Sequence, residues 1–325
     1  MRLPNGDLEW MVEEDTAPVR LDHYMRRRMP RFSRTTIQAF IDDQTVRRLE
    51  HTGQLLVLKA SSRVQPGDVL HLRRPTPPPP DPRSLPRQAL RVVYEDEALL
   101  VVDKPAGMLV HPAGVRIDDT VIGILRAQFQ EMYVDLAHRL DRETSGLLLL
   151  TRSPEANRLI KEDFKHRRIH KRYLAVVRGV PSWEQHTVEL PMGNGTLEIR
   201  VRQVIRDDGY PARTTFVLKE RLGSRGALIE AQPHTGRLHQ IRVHLEALGL
   251  SLVGDKIYGG DGQDFITFRE TGLTEELLTR LGHWRHALHA CQLTVLHPIR
   301  KKWMQFHTPL PADMVELCDK MKAEP

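Results

Sequence analysis

Residues His138 to Thr151 read HRLDRETSGLLLLT: one aspartate, Asp141, stands among Arg139 and Arg142 just before the run Leu147 to Leu150. A short continuous apolar run of this kind reads as a buried strand, and Leu99 to Val102 and Leu174 to Val177 repeat the pattern on either side. Turn signals at Pro105-Ala106-Gly107, Gly179 and Asp207-Asp208-Gly209 separate the runs. Further on, Leu238, Ile241, Leu245 and Leu248 recur at helical spacing, and Gly249 is placed to end that helix. Strands outnumber helices without alternating regularly with them. The expectation is an α+β fold with a mixed, mainly antiparallel sheet rather than a doubly wound parallel one.

The chain has 325 residues, 40% of them hydrophobic, enough for one large or two unequal domains. Forty-eight Lys and Arg against 42 Asp and Glu leave a formal charge of +6, which favours a polyanionic partner such as nucleic acid. The two cysteines, Cys291 and Cys318, form no Cys-x-x-Cys, so neither a disulfide framework nor a thiolate zinc site is indicated and a reducing cytoplasm is expected. The opening MRLPNGDLEWMVEEDTAPV has no apolar core of a signal peptide, and no apolar stretch is long enough to span a bilayer.

The sharpest boundary is Pro75-Thr76-Pro77-Pro78-Pro79-Pro80-Asp81-Pro82, where repeated prolines favour a stiff extended spacer. Domains are expected at 1–74 and 89–325, with 75–88 as linker. In the first, Leu21 to Arg28 suits a short helix ended by Pro30, and Ser33 suits the N-cap of a second helix carrying Ile37, Phe40 and Ile41. Short strands near Leu55 to Leu58 and Val69 to Leu72 flank the turn Pro66-Gly67-Asp68. Arg20, Arg26, Arg27, Arg28, Arg31 and Arg34 cluster on the helix pair with only Asp22 and Asp42 nearby, a pattern that favours phosphate binding.

Familiar machinery is absent. There is no Gly-x-x-x-x-Gly-Lys-Ser/Thr, and Gly193-Asn194-Gly195 lacks the third glycine of a dinucleotide site. His234, His239 and His244 step by five residues, which turns each away from the next on a helix, so no metal is expected there. Three polar clusters remain, each abutting an apolar element able to hold a site rigidly: His138 to Asp141, Lys171-Arg172-Tyr173, and Gly236 to Arg242. Taken singly, Asp141 reads as a turn residue paired with Arg139 or Arg142, Tyr173 as a core aromatic and Arg242 as a solvated helix charge.

Taken together, they resemble the RluA-type pseudouridine synthases. Tyr94-Glu95-Asp96 through Asp103-Lys104-Pro105-Ala106-Gly107 to His111-Pro112 is similar to that family's first motif, and HRLDRETSGLLLLT to the segment that carries its catalytic aspartate. Lys171 to Val177 resembles the tyrosine motif, and Thr235 to Leu245 the third motif. Gly254-Asp255-Lys256-Ile257-Tyr258-Gly259, Leu288-His289-Ala290 and His297-Pro298 agree as well. Through Arg20-Leu21-Asp22, Ser33-Arg34 and Gly67-Asp68 the first domain resembles the RNA-binding module named after ribosomal protein S-four, although Leu49-Glu50 stands where an Asn-Gly hairpin is usual.

The resemblance implies an isomerase that breaks the bond from ribose to the glycosidic nitrogen of uridine, rotates the base and rejoins it through carbon five, without cofactor or metal. Asp141 is then the essential residue, whether it attacks the anomeric carbon, adds to the ring or abstracts a ribose proton. Arg242 is its salt-bridge partner and Tyr173 stacks on the extruded base. Arg139 fills the vacated stack or holds the flipped backbone, and Arg237 faces phosphate. Ribosomal RNA of the large subunit is the favoured substrate over transfer RNA, acted on by a monomer without guide RNA. The competing readings are a noncatalytic ribosome-assembly protein and an N-glycosidic hydrolase. Residues 260–282 match no motif and are expected as a substrate-contacting insertion or a surface loop.

Overall fold

The computed structural model describes residues 8–13, 18–29, 34–42, 46–50, 54–72, 90–111, 120–129, 132–195, 199 and 201–323. They fall into two compact units, 8–72 and 90–323. The proline-rich stretch, Ser33 and the turn through Gly53 lie outside the described residues.

The first unit contains β1 (Leu8–Met11), β2 (Val19–Arg20), α1 (Leu21–Arg28), α2 (Arg34–Asp42), β3 (Val46–Leu49), β4 (Leu55–Val57), β5 (Arg63–Val64) and β6 (Val69–Leu72). β1, β6, β3 and β4 form an antiparallel sheet in that order, and β2 pairs with β5. Leu21 and Met25 on α1 and Ile37 and Ile41 on α2 recur at helical spacing, so each helix turns one apolar stripe onto Val46, Val64 and Leu70. The turn Pro66-Gly67-Asp68 leads into β6, with Gly67 in the left-handed region at φ 85°. Strands β1 and β3 were not legible as such: Leu8–Met11 earns its strand state only by pairing with β6.

The second unit runs β7 (Arg91–Glu95), β8 (Leu99–Lys104), α3 (Val121–Gln128), β9 (Asp135–Leu136), β10 (Ser145–Thr151), α4 (Pro154–Lys165), β11 (His170–Arg178), β12 (Gln185–Val188), β13 (Met192–Asn194), β14 (Gln203–Ile205), β15 (Thr214–Leu222), β16 (Gly226–Pro233), α5 (Gln240–Ala247), α6 (Gln263–Thr271), α7 (Glu275–Leu281), β17 (Leu288–Leu296), β18 (Trp303–His307) and α8 (Ala312–Ala323). Its large sheet has the order β12-β15-β16-β11-β17-β10-β8-β7, with β18 beside β17 and β9 beside β10. β10 and β17 are parallel; the other pairings are antiparallel, as the α+β reading requires.

The leucine runs are continuous because both faces of the sheet are covered. Leu100, Val102, Leu148 and Leu150 enter the layer shared with α3 and α5, whereas Leu99, Val101, Leu147 and Leu149 enter the layer shared with Ala156 and Ile160 of α4. α4 begins where Ser153 accepts the Ala156 N–H at 3.1 Å and Pro154 supplies a ready-made helical φ.

Two expectations are corrected. Residues 260–282 are no surface loop but contain α6 and α7, because Leu277 and Leu281 are buried and Phe265 packs beside Ile257. The helix expected from Leu238 begins at Gln240, since His239 adopts φ 57° and leaves Leu238 exposed.

Candidate active site

Asp141 lies in the loop that enters β10, and that loop is fastened on both sides. His138 Nε2 accepts the Leu149 N–H at 3.0 Å, and burial, aided by the charge of Lys171, pulls the imidazole pKa down to about 3, so it stays neutral. The Arg142 carbonyl receives the Gly107 N–H at 2.9 Å and Lys104 Nζ at 3.0 Å, while Arg142 Nε donates to the Gly107 carbonyl at 3.0 Å. Lys104 is wholly enclosed and gives its other two protons to the Pro105 and Met108 carbonyls. Burial draws its pKa down to about 7.

Beyond Asp141, the Glu143 carboxylate accepts Lys256 Nζ at 2.8 Å and the His286 N–H at 3.1 Å. Arg285, at 0% exposure, donates to the Glu143 carbonyl and pairs with Asp313 through two nitrogens. Gly146 then allows the close parallel approach of β17: a Cβ at its φ of 105° would stand 2.3 Å from the Ala290 carbonyl oxygen.

Arg242 projects from α5 toward this loop and is 4% exposed. Its Nε and Nη2 meet the two oxygens of Asp255 at 2.7 and 2.8 Å, and its Nη1 donates to Asp141 Oδ2 at 3.1 Å. The guanidinium also lies over the Tyr258 ring, 4.8 Å from its centroid. Asp255 is held in turn by the Ile257 and Tyr258 N–H groups at 2.9 and 3.2 Å. Burial works against this charge, but Arg242 and the two amides outweigh it and keep the Asp255 pKa below the ordinary carboxylate value. Asp141 therefore pairs with Arg242, not with Arg139 or Arg142.

His239 completes the enclosure, with Nε2 3.9 Å from Asp141 Oδ2 and Nδ1 2.8 Å from the Tyr258 hydroxyl. That hydroxyl also accepts the Gln203 N–H at 2.9 Å. If the phenol donates to Nδ1, the ring proton sits on Nε2 and faces Asp141. Burial first, then Arg242, lowers the His239 pKa to about 4.

These groups open on a pocket of about 710 Å³ lined by Arg139, Asp141, Tyr173, Arg237, His239 and Arg242, among others. Tyr173 is buried on β11, and burial together with the charge of Asp141 raises its pKa, so the phenol is protonated at neutral pH. Arg139 is exposed at the pocket wall. Arg237 donates Nε to the Pro211 carbonyl at 3.2 Å and rests over the Tyr210 ring. In the first unit, Arg20 is engaged by both oxygens of Asp22 at 3.0 Å, and Arg26 and Arg27 are exposed on α1. The side chain of Arg34 lies outside the described residues.

The three histidines of the metal test part company: His234 meets Thr215, His239 meets Tyr258, and His244 meets Thr214 and the Leu190 carbonyl. Among the described residues Asp96, Glu97 and His297 bring ligand atoms within 4.8 Å of one another, but Arg300 pairs with both carboxylates and already supplies the positive charge.

The family model for RNA pseudouridylate synthase matches residues 98–247, which hold Asp141, Tyr173 and Arg242. A Chloroflexus aurantiacus protein described as an RNA pseudouridine synthase is 36% identical over 95% of this chain and 94% of its own length. The chain belongs to the RNA pseudouridine synthase family. It is thus an isomerase acting on RNA. A ribosomal large subunit pseudouridine synthase D of Xanthomonas campestris is 32% identical over 97% of this chain and 92% of its own. The solved structure of human RNA pseudouridylate synthase domain containing 1 superposes with a TM-score of 0.55 at 27% identity, covering 74% of this chain and 98% of the human one. For human RNA pseudouridylate synthase domain containing 4 the TM-score is 0.56 at 25% identity, with 71% and 92% covered.

In this pseudouridine synthase, sequence reasoning missed the second carboxylate on Arg242, the Tyr258–His239 pair and the Lys256–Glu143 bridge. The signal was present in the stretch Gly254 to Gly259, whose polar residues Asp255, Lys256 and Tyr258 had no assigned work.

Proposed function

We propose that the chain isomerises specific uridines of large-subunit ribosomal RNA to pseudouridine, with Asp141 as the essential carboxylate. The observation that carries this reading is the Asp255–Arg242–Asp141 chain at the wall of the pocket. Asp255 neutralises most of the arginine and fixes its plane, so the remaining N–H can hold Asp141 ionised and aimed without burying an unpaired charge. The same-length relatives named for the ribosomal large subunit support the choice of RNA over the alternative, transfer RNA.

A uridine in a stacked strand cannot reach Asp141, so the nucleotide is extruded, at roughly a few kcal/mol of lost stacking. The base lies against Tyr173, whose protonated phenol stays uncharged beside the carboxylate. The glycosidic C–N bond breaks, uracil turns within the pocket, and the new bond forms between the ribose carbon and carbon five; the hydrogen of carbon five leaves as a proton, and the freed ring nitrogen takes one up. Atoms balance without oxidant or water, which separates the reaction from hydrolysis. The Asp141 carboxylate acts at ribose or ring, and Arg242 holds its unused oxygen. Arg139 takes the place of the extruded base, and Arg237 meets phosphate. The first unit serves as an RNA-binding module of the S-four type, with Arg20, Arg26, Arg27 and Arg34 toward RNA, joined through residues 75–88 to a catalytic unit that works as a monomer without guide RNA in the cytoplasm.

The test is tritium release from RNA labelled at carbon five of uridine, with large-subunit ribosomal and transfer RNA transcripts in parallel. Release from ribosomal RNA by the wild type, none by Asp141→Asn and no free uracil support the proposal. Release of uracil makes the enzyme a hydrolase; release from transfer RNA alone moves the substrate.

A further inference from the structure

Several cations line the pocket, and one of them, Lys171, has no carboxylate partner among the described residues. Lys171 leaves β11 two residues before Tyr173 and lines the same pocket as Asp141. Among the described residues no carboxylate pairs with its Nζ and no acceptor lies within hydrogen-bonding distance; its one contact of charge is the Phe164 ring, 5.8 Å from Nζ to the centroid. Burial draws its pKa to about 8, below that of an ordinary lysine and still above neutrality. Its ammonium, half-buried at the pocket wall, has the Phe164 ring but no counter-ion to offset its charge. Arg168 and Arg172 in the same segment are, by contrast, paired with Asp163 and Glu230.

Its surroundings say what it awaits. Arg139, Lys165, Arg167 and Arg237 also line the pocket, and Asp141 is the one acidic side chain among the described lining residues. Nζ reaches across to the loop after β16, where a Cβ built on Gly236 would stand 3.7 Å from it. The register irregularity beside Tyr173 places the extra residue, Cys291, on β17, so Lys171 and Tyr173 keep strand alternation and share one face of β11. Two residues of strand separate them by about 6.7 Å, the scale of one nucleotide.

We infer that Lys171 is a substrate-binding residue that takes the backbone phosphate next to the uridine lying against Tyr173. The assignment rests on the proposed reading of Asp141 and Tyr173 and adds to it a phosphate subsite inside the pocket. A uracil carbonyl is the weaker candidate, because a neutral acceptor leaves the ammonium without a counter-ion whereas a phosphate neutralises it.

Two measurements separate this inference from the reading beneath it. The first is binding of a uridine-containing single-stranded RNA oligonucleotide across a salt series. Lys171→Met lowers the slope of log affinity against log salt by about 0.7, one phosphate contact, and Lys171→Arg restores it. The second is turnover of 5-tritiated large-subunit ribosomal RNA, or of transfer RNA if that is the transcript converted. Here Lys171→Met raises KM on the order of tenfold while kcat stays within about twofold. An unchanged slope with unchanged KM overturns the phosphate subsite even in a fully active enzyme, as does a loss confined to kcat. A lowered slope in a protein that converts neither RNA leaves the subsite standing and sinks the isomerase reading.

Discussion

Two arginine-rich regions of this molecule use charge in opposite ways. On α1, Arg26 and Arg27 stand in solvent, and Arg20 is half-exposed beside Asp22. In the pocket, Arg242 is buried, stacked on Tyr258 and bonded to Asp255 and Asp141 through three nitrogens. Solvent and salt screen the first set, which therefore serves long-range attraction to a polyanion. The second set is dry and directional, so it sets the position of one carboxylate at the expense of a network that tolerates no missing member. A count of basic residues cannot tell these uses apart; burial and partner number can.

The comparison can be broken from either side. The largest effect is expected at Asp141: Asp141→Asn keeps the shape and the Arg242 contact but not the charge, and the rate of tritium release should fall by about four orders of magnitude or more with the melting temperature little changed. A variant with measurable turnover close to wild type removes Asp141 from the chemistry. Next comes Asp255→Ala, which strands a buried guanidinium. Urea unfolding should show a loss of about 3–5 kcal/mol, and kcat should fall with it, because Asp141 loses its fixed partner. A stable Asp255→Ala protein with normal kcat would show that Arg242 needs no second carboxylate.

Third is pH. The folded His239 has a pKa of about 4 against an ordinary value near 6.5, so between these values the unfolded chain binds the extra proton and the folded one does not. Stability is thus fully present above about pH 6.5 and is lost as pH falls toward 4, by on the order of 3 kcal/mol from this group. His138 acts with the same sign toward a still lower limit. Urea midpoints from pH 7 to pH 4.5 measure the loss, and His239→Gln should flatten the profile. The smallest effect belongs to the exposed region: Arg26→Gln with Arg27→Gln should lower the salt slope of RNA binding by about 1.4, two single-strand phosphate contacts, and leave the melting temperature and kcat where they were. A change in kcat at saturating RNA would mean that α1 does more than attract.

Much of the architecture was legible because burial on two faces leaves an unmistakable trace. Leu99 to Val102 and Leu147 to Leu150 had to be strands of a covered sheet, and β8 and β10 sit where those runs lie. The helix of Arg242 was legible in its middle but not at its start, since no periodicity encodes the left-handed turn at His239 that Tyr258 holds. Residues 260–282 were opaque for a related reason: α6 and α7 are short, and what makes them helical is the docking of Phe265, Leu277 and Leu281. At the site, Asp141, Tyr173 and Arg242 received their roles through motif resemblance, while Asp255 and Lys171, though inside matching segments, received none, because neither pairing nor lack of pairing can be read from a string.

By itself, then, the sequence determined the strand-rich class, the buried runs, the basic balance and the residues able to do carboxylate chemistry, since all of these follow from residue type and local spacing. Only the tertiary structure decided that Asp141 meets an arginine 101 residues away, that Asp255 and Lys256, neighbours in the chain, hold Arg242 and Glu143 respectively, and that Lys171 has no carboxylate partner among the described residues. Charges pair through space, and in a folded interior the partner is chosen by which elements the apolar core brings together.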